Sequence, residues 1–161
     1  MKVIFLDIDG CLNSVQYAIL RGPIDGTQGF SYRTELEIDR DALMRLERAI
    51  LDTNAYVVIS SSWRICYPPQ QIGVMFAARG NFNGEMWDDI ILGCTPRVPS
   101  GFRGAEVQEW LDKHPGVDKY VIIDDDSDFY DYQKPRFVHT NNEYGLTDDH
   151  VEDIVQLLGH I

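Results

Sequence analysis

Short apolar runs alternate along this chain with longer stretches of helical periodicity, and this alternation is the feature that most constrains its fold. It is typical of an α/β domain built on a mainly parallel sheet. The second and fourth runs are almost wholly apolar and β-branched, as strands covered on both faces are, so we place them at the centre of the sheet. The predicted strands are residues 2–6, 55–60, 89–93, 119–124 and 136–140.

Helix start and stop signals lie between these strands. Asp39 is a predicted N-cap for a helix to about residue 52, and Thr147 for a final helix that ends before Gly159. Further helices are predicted at residues 68–79 and 103–114. Together the elements predict a Rossmann-like three-layer α/β sandwich with about five strands. We expect residues 1–161 to form a single domain, since this length can bury a core without a disulfide or a structural metal.

The composition limits the cellular compartment and the binding partners that we expect for this protein. The formal charge of 14 − 26 = −12 disfavours non-specific binding to nucleic-acid backbones or anionic lipids. The three cysteines lie far apart and form no C-x-x-C pair, which argues against a disulfide framework or zinc knuckle. The apolar runs are too short to span a membrane, and we see no signal peptide. These features predict a cytoplasmic protein without a membrane partner.

Two carboxylates follow the first predicted strand, in V-I-F-L-D-I-D-G at residues 3–10. Strand carboxyl ends line the ligand crevice of an open α/β sheet, so Asp7 and Asp9 would gather where substrates bind. Their mutual repulsion favours a bound cation, and Mg²⁺ prefers such oxygen ligands. An acidic turn after an edge strand is the alternative for this motif taken alone.

A second acidic cluster follows the fourth strand, in Y-V-I-I-D-D-D-S-D at residues 120–128. Asp124 is best placed to contact a metal, with Asp125 as a second ligand, directly or through water. Asp126 and Asp128 are less well placed. Such a run alone is most often a solvated loop. Because parallel strands bring their carboxyl ends to one edge, the two clusters together predict a divalent-cation site.

Hydroxyl and cationic side chains complete the pattern. The second strand ends in S-S-S-W-R, where Ser60, with Ser61 as a second candidate, could donate to a phosphate oxygen. Serines there are also ordinary helix caps. Arg103, in G-F-R-G-A-E-V-Q-E-W-L, could neutralise a phosphate at a helix N-terminus, and Arg64 is the competing cation. A surface salt bridge is the alternative for either arginine.

These four motifs, in this order, resemble those of the haloacid dehalogenase-like (HAD) superfamily of phosphohydrolases, across essentially the whole chain. The strings L-D-I-D-G-C-L-N, I-S-S-S-W-R, G-C-T-P and I-I-D-D-D-S-D further resemble small HAD-like domains associated with RNA-repair proteins. The resemblance implies that Asp7 is the nucleophile that forms an aspartyl-phosphate, and that Asp9 protonates the leaving group and then activates water. Residue 103 is an arginine, whereas the superfamily more often has a lysine at this position.

The resemblance also implies the binding roles. Ser60 would hold a phosphoryl oxygen and Arg103 would stabilise the transferring phosphoryl group. The Mg²⁺ ligands would be the Asp7 carboxylate, the Asp9 backbone carbonyl, Asp124 and Asp125. The gaps after the first motif and before the third are too short for the superfamily's cap domain, so we expect a minimal cap or none. The glycine-rich residues 21–31 could act as a flap.

An uncapped site favours larger substrates. The resemblance implies a HAD-like phosphatase acting on a phosphomonoester, with a nucleotide or a nucleic-acid 3′-phosphate as the leading substrate and a small-metabolite phosphate as the alternative. Five aromatic residues could stack a base, although core or loop packing is the more common role for such residues. They are Tyr17, Phe30, Tyr32, Trp63 and Tyr67.

A hypothesis of another class is a non-catalytic binding module that accepts a phosphoryl group on Asp7, as a receiver-like domain does. Such a module needs no second acid placed to activate water. The presence of Asp9 therefore favours the enzyme.

Overall fold

The computed structural model describes residues 1–24 and 34–161. These described residues form five strands, which all run parallel in the order β3-β2-β1-β4-β5. No helix among the described residues has the length and apolar character needed to cross a membrane. The elements in chain order are β1 (Lys2–Leu6), α1 (Val15–Arg21), α2 (Arg40–Thr53), β2 (Tyr56–Ile59), α3 (Pro69–Arg79), α4 (Gly84–Ile90), β3 (Ile91–Cys94), α5 (Arg103–Asp112), β4 (Lys119–Asp124), β5 (Phe137–His139) and α6 (Asp148–Leu158).

Each face of the sheet packs against helices, which makes the domain three layers thick. Successive β1 side chains point to opposite faces. Ile4 and Leu6 join the larger core cluster, with apolar residues of α2, α3, α4 and α6. Phe5 joins the smaller cluster under α5, where Trp110 meets it edge to face with ring centroids 5.4 Å apart. The predicted three-layer α/β architecture is confirmed.

The structure confirms several predicted elements and corrects others. β1 and β4 have the predicted bounds, and Asp39 and Thr147 cap α2 and α6 as predicted. The middle strand is β1, with β2 and β4 on either side of it rather than at the centre. The predicted strand at 89–93 was wrong at its start, since residues 89 and 90 belong to α4. The Asn83 side chain caps this helix, and the fully buried Trp87 anchors it.

Helix α1 was not predicted. The Ser14 hydroxyl caps it by accepting from the Tyr17 N–H at 3.1 Å, but no residue of α1 is buried. Its seven residues make fewer than two turns, which is too short a stretch to show a helical period in the sequence. Arg21, the first residue of the predicted flap, ends α1. Residues 25–31 of that flap lie outside the described residues, as do the stacking candidates Phe30 and Tyr32.

Candidate active site

Strand register places Asp7 between the ends of the two neighbouring strands. The Asp7 N–H donates to the Ile123 carbonyl of β4 at 2.9 Å. On the other side, the Ser60 N–H donates to the Leu6 carbonyl at 2.8 Å. Continuing the ladder by one residue sets Asp7 beside Ser60 on one side and Asp124 on the other. The residues predicted from separate motifs therefore meet at the carboxyl edge of the sheet.

Three carboxylates form a compact group at this edge. Asp7, Asp124 and Asp125 each offer an oxygen, and these oxygens all lie within 4.8 Å of one another. Asp7 and Asp124 are buried and Asp125 is partly buried. Asp126 is exposed, and it lies outside this group. An all-oxygen set of this kind suits a hard cation such as Mg²⁺.

Burial makes the negative charge of these carboxylates costly. Loss of solvation raises the pKa of Asp7 to about 6, against the partial compensation of a hydrogen bond from Ser61. Burial, with the nearby Asp7 carboxylate as the next cause, raises the pKa of Asp124 to about 8. Burial also raises the pKa of Asp125. A bound cation would relieve this cost, so the electrostatics of the group fit a metal site.

Gly10 allows the turn after β1 to approach Asp125. Its φ of +76° lies in the left-handed region that favours glycine. A Cβ at this position would lie 2.3 Å from Asp125 Oδ2, too close for any side chain. The lack of a side chain at residue 10 thus leaves the space that the Asp125 carboxylate occupies.

The two serines predicted as phosphate ligands differ in their surroundings. Ser60 is 1% exposed, and its Oγ has no hydrogen-bond partner among the described residues. The Ser61 hydroxyl, in contrast, donates to the Asp7 carboxylate and accepts from the Trp63 N–H at 3.3 Å. A buried hydroxyl without a partner is costly, and a ligand oxygen would satisfy it. Ser60 is therefore the better placed of the two to meet a ligand.

The two arginines also differ. Arg103 Nη1 donates to the Ser60 carbonyl at 2.6 Å, and its Nε lies 3.8 Å from Asp124 Oδ2. Arg64 instead pairs with Glu106 at 2.6 Å and donates to the Ser61 carbonyl at 2.8 Å. The Arg103 side chain is 20% exposed and that of Arg64 is 8% exposed. Arg103 is thus the cation that borders the carboxylate group, at the N-terminus of α5.

Asp9 lies apart from the three clustered carboxylates. Its Oδ1 accepts from Asn13 Nδ2 at 2.9 Å and from the indole Nε1 of Trp63 at 3.1 Å. These two donors were not predicted. Their signals in the sequence are weak: Asn13 follows the first motif, and Trp63 lies in the second motif three residues after Ser60.

Two residues predicted as possible base-stacking groups are packed inside the protein. Trp63 is 1% exposed, and Tyr67 is 6% exposed and lies against it with ring centroids 6.1 Å apart. Buried rings cannot stack on a substrate base, so neither ring serves that function. A third candidate, Tyr17, donates from its hydroxyl to the Leu36 carbonyl at 2.8 Å.

Comparison with known proteins identifies a family for this chain. Residues 3–151 match a family described as the HAD domain in Swiss Army Knife RNA repair proteins. Neither the curated proteins nor the solved structures contain a match to the chain. The matched segment includes every site residue described above, from Asp7 to Asp125. The chain therefore belongs to the family of HAD domains found in Swiss Army Knife RNA repair proteins.

Proposed function

We infer that this protein is a Mg²⁺-dependent phosphomonoester hydrolase that works through an aspartyl-phosphate on Asp7. The observation that carries this inference is the position of Asp7 between the buried Asp124 carboxylate and the Ser60 hydroxyl, which has no hydrogen-bond partner among the described residues. One side of Asp7 thus offers a donor for a phosphoryl oxygen. The other offers a ligand for a cation.

The Asp7, Asp124 and Asp125 carboxylates, with the Asp9 backbone carbonyl, are the groups that would hold Mg²⁺. The ion would supply positive charge that keeps these acids ionised and draws electron density from a phosphoryl oxygen. Arg103 and Ser60 would hold the remaining phosphoryl oxygens. The partial positive charge at the N-terminus of α5, where Arg103 stands, favours an anion there.

In the first step, a carboxylate oxygen of Asp7 attacks phosphorus and the bond from phosphorus to the ester oxygen breaks. The departing oxygen takes a proton from the Asp9 carboxyl, and the alcohol leaves. Asp7 then carries the phosphoryl group as a mixed anhydride.

In the second step, Asp9, now ionised, takes a proton from a water molecule as the water oxygen attacks phosphorus. The bond between phosphorus and the Asp7 oxygen breaks, which releases inorganic phosphate and restores the Asp7 carboxylate. Asp9 regains its proton in the same step, so both aspartates return to their starting states.

We propose a nucleotide or a terminal phosphate of a nucleic acid as the substrate. The description of the matched family, which places such domains in RNA repair proteins, favours this class. The charge of −12 disfavours long contacts with a phosphate backbone. A small-metabolite phosphate is the alternative substrate.

The first test is hydrolysis of p-nitrophenyl phosphate by the wild type with Mg²⁺, with EDTA, and by Asp7→Asn with Mg²⁺. We expect turnover only for the wild type with Mg²⁺. Asp126→Asn is a matched control, because its carboxylate belongs to the same acidic run but lies outside the clustered group. Turnover by Asp7→Asn at the wild-type rate would exclude Asp7 as the nucleophile.

The second test compares nucleotides, 3′-phosphorylated oligonucleotides and sugar phosphates. The proposed substrate class predicts the highest kcat/KM for a nucleotide or an oligonucleotide end. A stable phosphoryl group on Asp7, without turnover of any ester, would instead identify a phosphoryl-accepting module.

A further inference from the structure

Two neutral donors converge on one oxygen of Asp9. Trp63 Nε1 lies 3.1 Å and Asn13 Nδ2 lies 2.9 Å from Asp9 Oδ1. A carboxylate oxygen has two lone pairs, so these two N–H groups use the accepting capacity of Oδ1. An added proton on Oδ1 would have to displace one of them.

Both donors are themselves held in place. Trp63 is 1% exposed, and its backbone N–H is bound by the Ser61 hydroxyl at the start of the turn Ser62–Ile65. Asn13 Oδ1 accepts from the Gly10 N–H at 2.9 Å, which orients the amide so that its NH₂ faces Asp9. The positions of the indole and the amide are therefore set by the fold and not by Asp9 alone.

We propose that Trp63 and Asn13 are positioning residues for the proton transfers of Asp9, a proposal that rests on the function inferred above. By binding Oδ1, the two donors fix the plane of the Asp9 carboxyl group, which gives a proton to the leaving group and later accepts one from water. Neither residue touches the reacting phosphoryl group in this scheme. Each acts through Asp9.

The four residues 60–63, which directly follow β2, thereby contribute three separate groups to the site. Ser60 presents a hydroxyl that has no hydrogen-bond partner in the described part of the chain, Ser61 donates to Asp7, and Trp63 donates to Asp9. One turn of the chain thus aligns the nucleophile with the acid. This coupling explains why a large indole is buried so close to a polar site.

The test uses a property that is sensitive to proton transfer, the dependence of kcat/KM on the leaving group. Phenyl phosphate expels a basic oxygen that needs a proton, whereas 2,4-dinitrophenyl phosphate expels one that does not. We expect Trp63→Phe to lose about tenfold on phenyl phosphate and little on the dinitrophenyl ester, which is only part of the factor of about 10² to 10⁴ that general acid catalysis supplies. Asp9→Asn should show the same pattern more strongly.

The chain offers a matched control for the loss of an indole. Trp87 is also fully buried, but its Nε1 has no hydrogen-bond partner within the described segments. Trp87→Phe should therefore change both esters equally, if it changes them at all. An equal loss on both esters for Trp63→Phe, or the leaving-group pattern in Trp87→Phe, would overturn the proposal. Asn13→Ala, at a less buried position, should reproduce the Trp63→Phe pattern if the tryptophan variant folds poorly.

A second measurement does not depend on activity. The indole ¹H–¹⁵N resonance of Trp63, assigned by its absence in Trp63→Phe, should shift in Asp9→Asn while that of Trp87 does not. An unchanged Trp63 resonance would show that the hydrogen bond is absent and overturn the proposal. If the wild type hydrolysed no phosphate ester, the proposed function would fail and the catalytic role with it, and the resonance would still decide whether the two residues are paired.

Discussion

Arg64 and Glu106 form an ion pair at 2.6 Å, and both side chains are more than nine-tenths buried. Glu106 also lies 3.8 Å from Arg103, one turn away on α5. The carboxylate thus compensates Arg64 and helps to orient Arg103 toward the site. These contacts distinguish the roles of Arg64 and Arg103, which the sequence alone could not rank as candidates for the phosphate-binding cation.

Replacing each arginine with methionine should therefore give opposite results. Arg64→Met leaves the Glu106 carboxylate buried without its main partner, which typically costs about 3–5 kcal/mol of stability. Arg103→Met should cost less stability but lower kcat by about 10²–10³, since it removes positive charge from the transferring group. Urea unfolding and hydrolysis assays measure the two effects. Loss of turnover in Arg64→Met at unchanged stability would identify Arg64 as the phosphate-binding cation instead.

The sequence predicted most of the fold and the composition of the site because both follow from strand ends. The apolar runs gave the strands, and their parallel pairing implied that Asp7, Ser60 and Asp124 share an edge. The roles of individual residues depend on side-chain partners distant in sequence. Arg64 forms an ion pair with Glu106, which is 42 residues away, and Trp63 donates to Asp9, which is 54 residues away. No local sequence pattern indicates either contact.

Ser60→Ala should separate binding from stability. Because the Ser60 hydroxyl is buried and has no partner in the described part of the chain, removing it should leave the ligand-free protein as stable or more stable by about 1 kcal/mol. The same change should raise KM and lower kcat, since a donor to the phosphoryl oxygen is lost. Thermal unfolding without ligand and steady-state kinetics measure both effects.

Ser61→Ala provides the comparison for this prediction. It removes the donor to Asp7 and the acceptor of the Trp63 N–H, so it should destabilise the protein. A marked loss of ligand-free stability in Ser60→Ala as well would show that its hydroxyl has a structural partner.

The stability of the metal-free protein should depend on pH through the buried acids. The pKa of Asp124 rises from an ordinary value of 3.8 to about 8 in the folded protein, and that of Asp7 to about 6. Folding therefore favours the protonated forms, so the free energy of unfolding falls as pH rises from about 4 to about 8. Asp124→Asn removes one of these charges. It should stabilise the metal-free protein by an amount that grows over the same interval, on the order of a few kcal/mol.

In the wild type, Mg²⁺ should counteract the loss of stability that occurs as pH rises. Because the ion binds ionised carboxylates, MgCl₂ should raise the Tm more at pH 8 than at pH 6. Asp124→Asn should lose this response, and Asp126→Asn should retain it. An equal Mg²⁺ response of wild type and Asp124→Asn would mean that the ion binds elsewhere.

A comparison of Gly10→Ala with Gly22→Ala separates the steric effect on Asp125 from the effect of backbone strain. Both glycines have φ near +75°, so alanine strains the backbone at either position. At Gly10 the new Cβ would also lie 2.3 Å from Asp125 Oδ2, whereas at Gly22 it would meet no described residue within 4 Å. Gly10→Ala should therefore displace the Asp125 side chain and weaken Mg²⁺ binding about tenfold or more, the range found when a group that orients metal ligands is lost. Gly22→Ala should lose only stability. Isothermal titration with MgCl₂ measures the affinity, and equal Mg²⁺ affinity in the two variants would show that the space left by Gly10 does not serve the metal site.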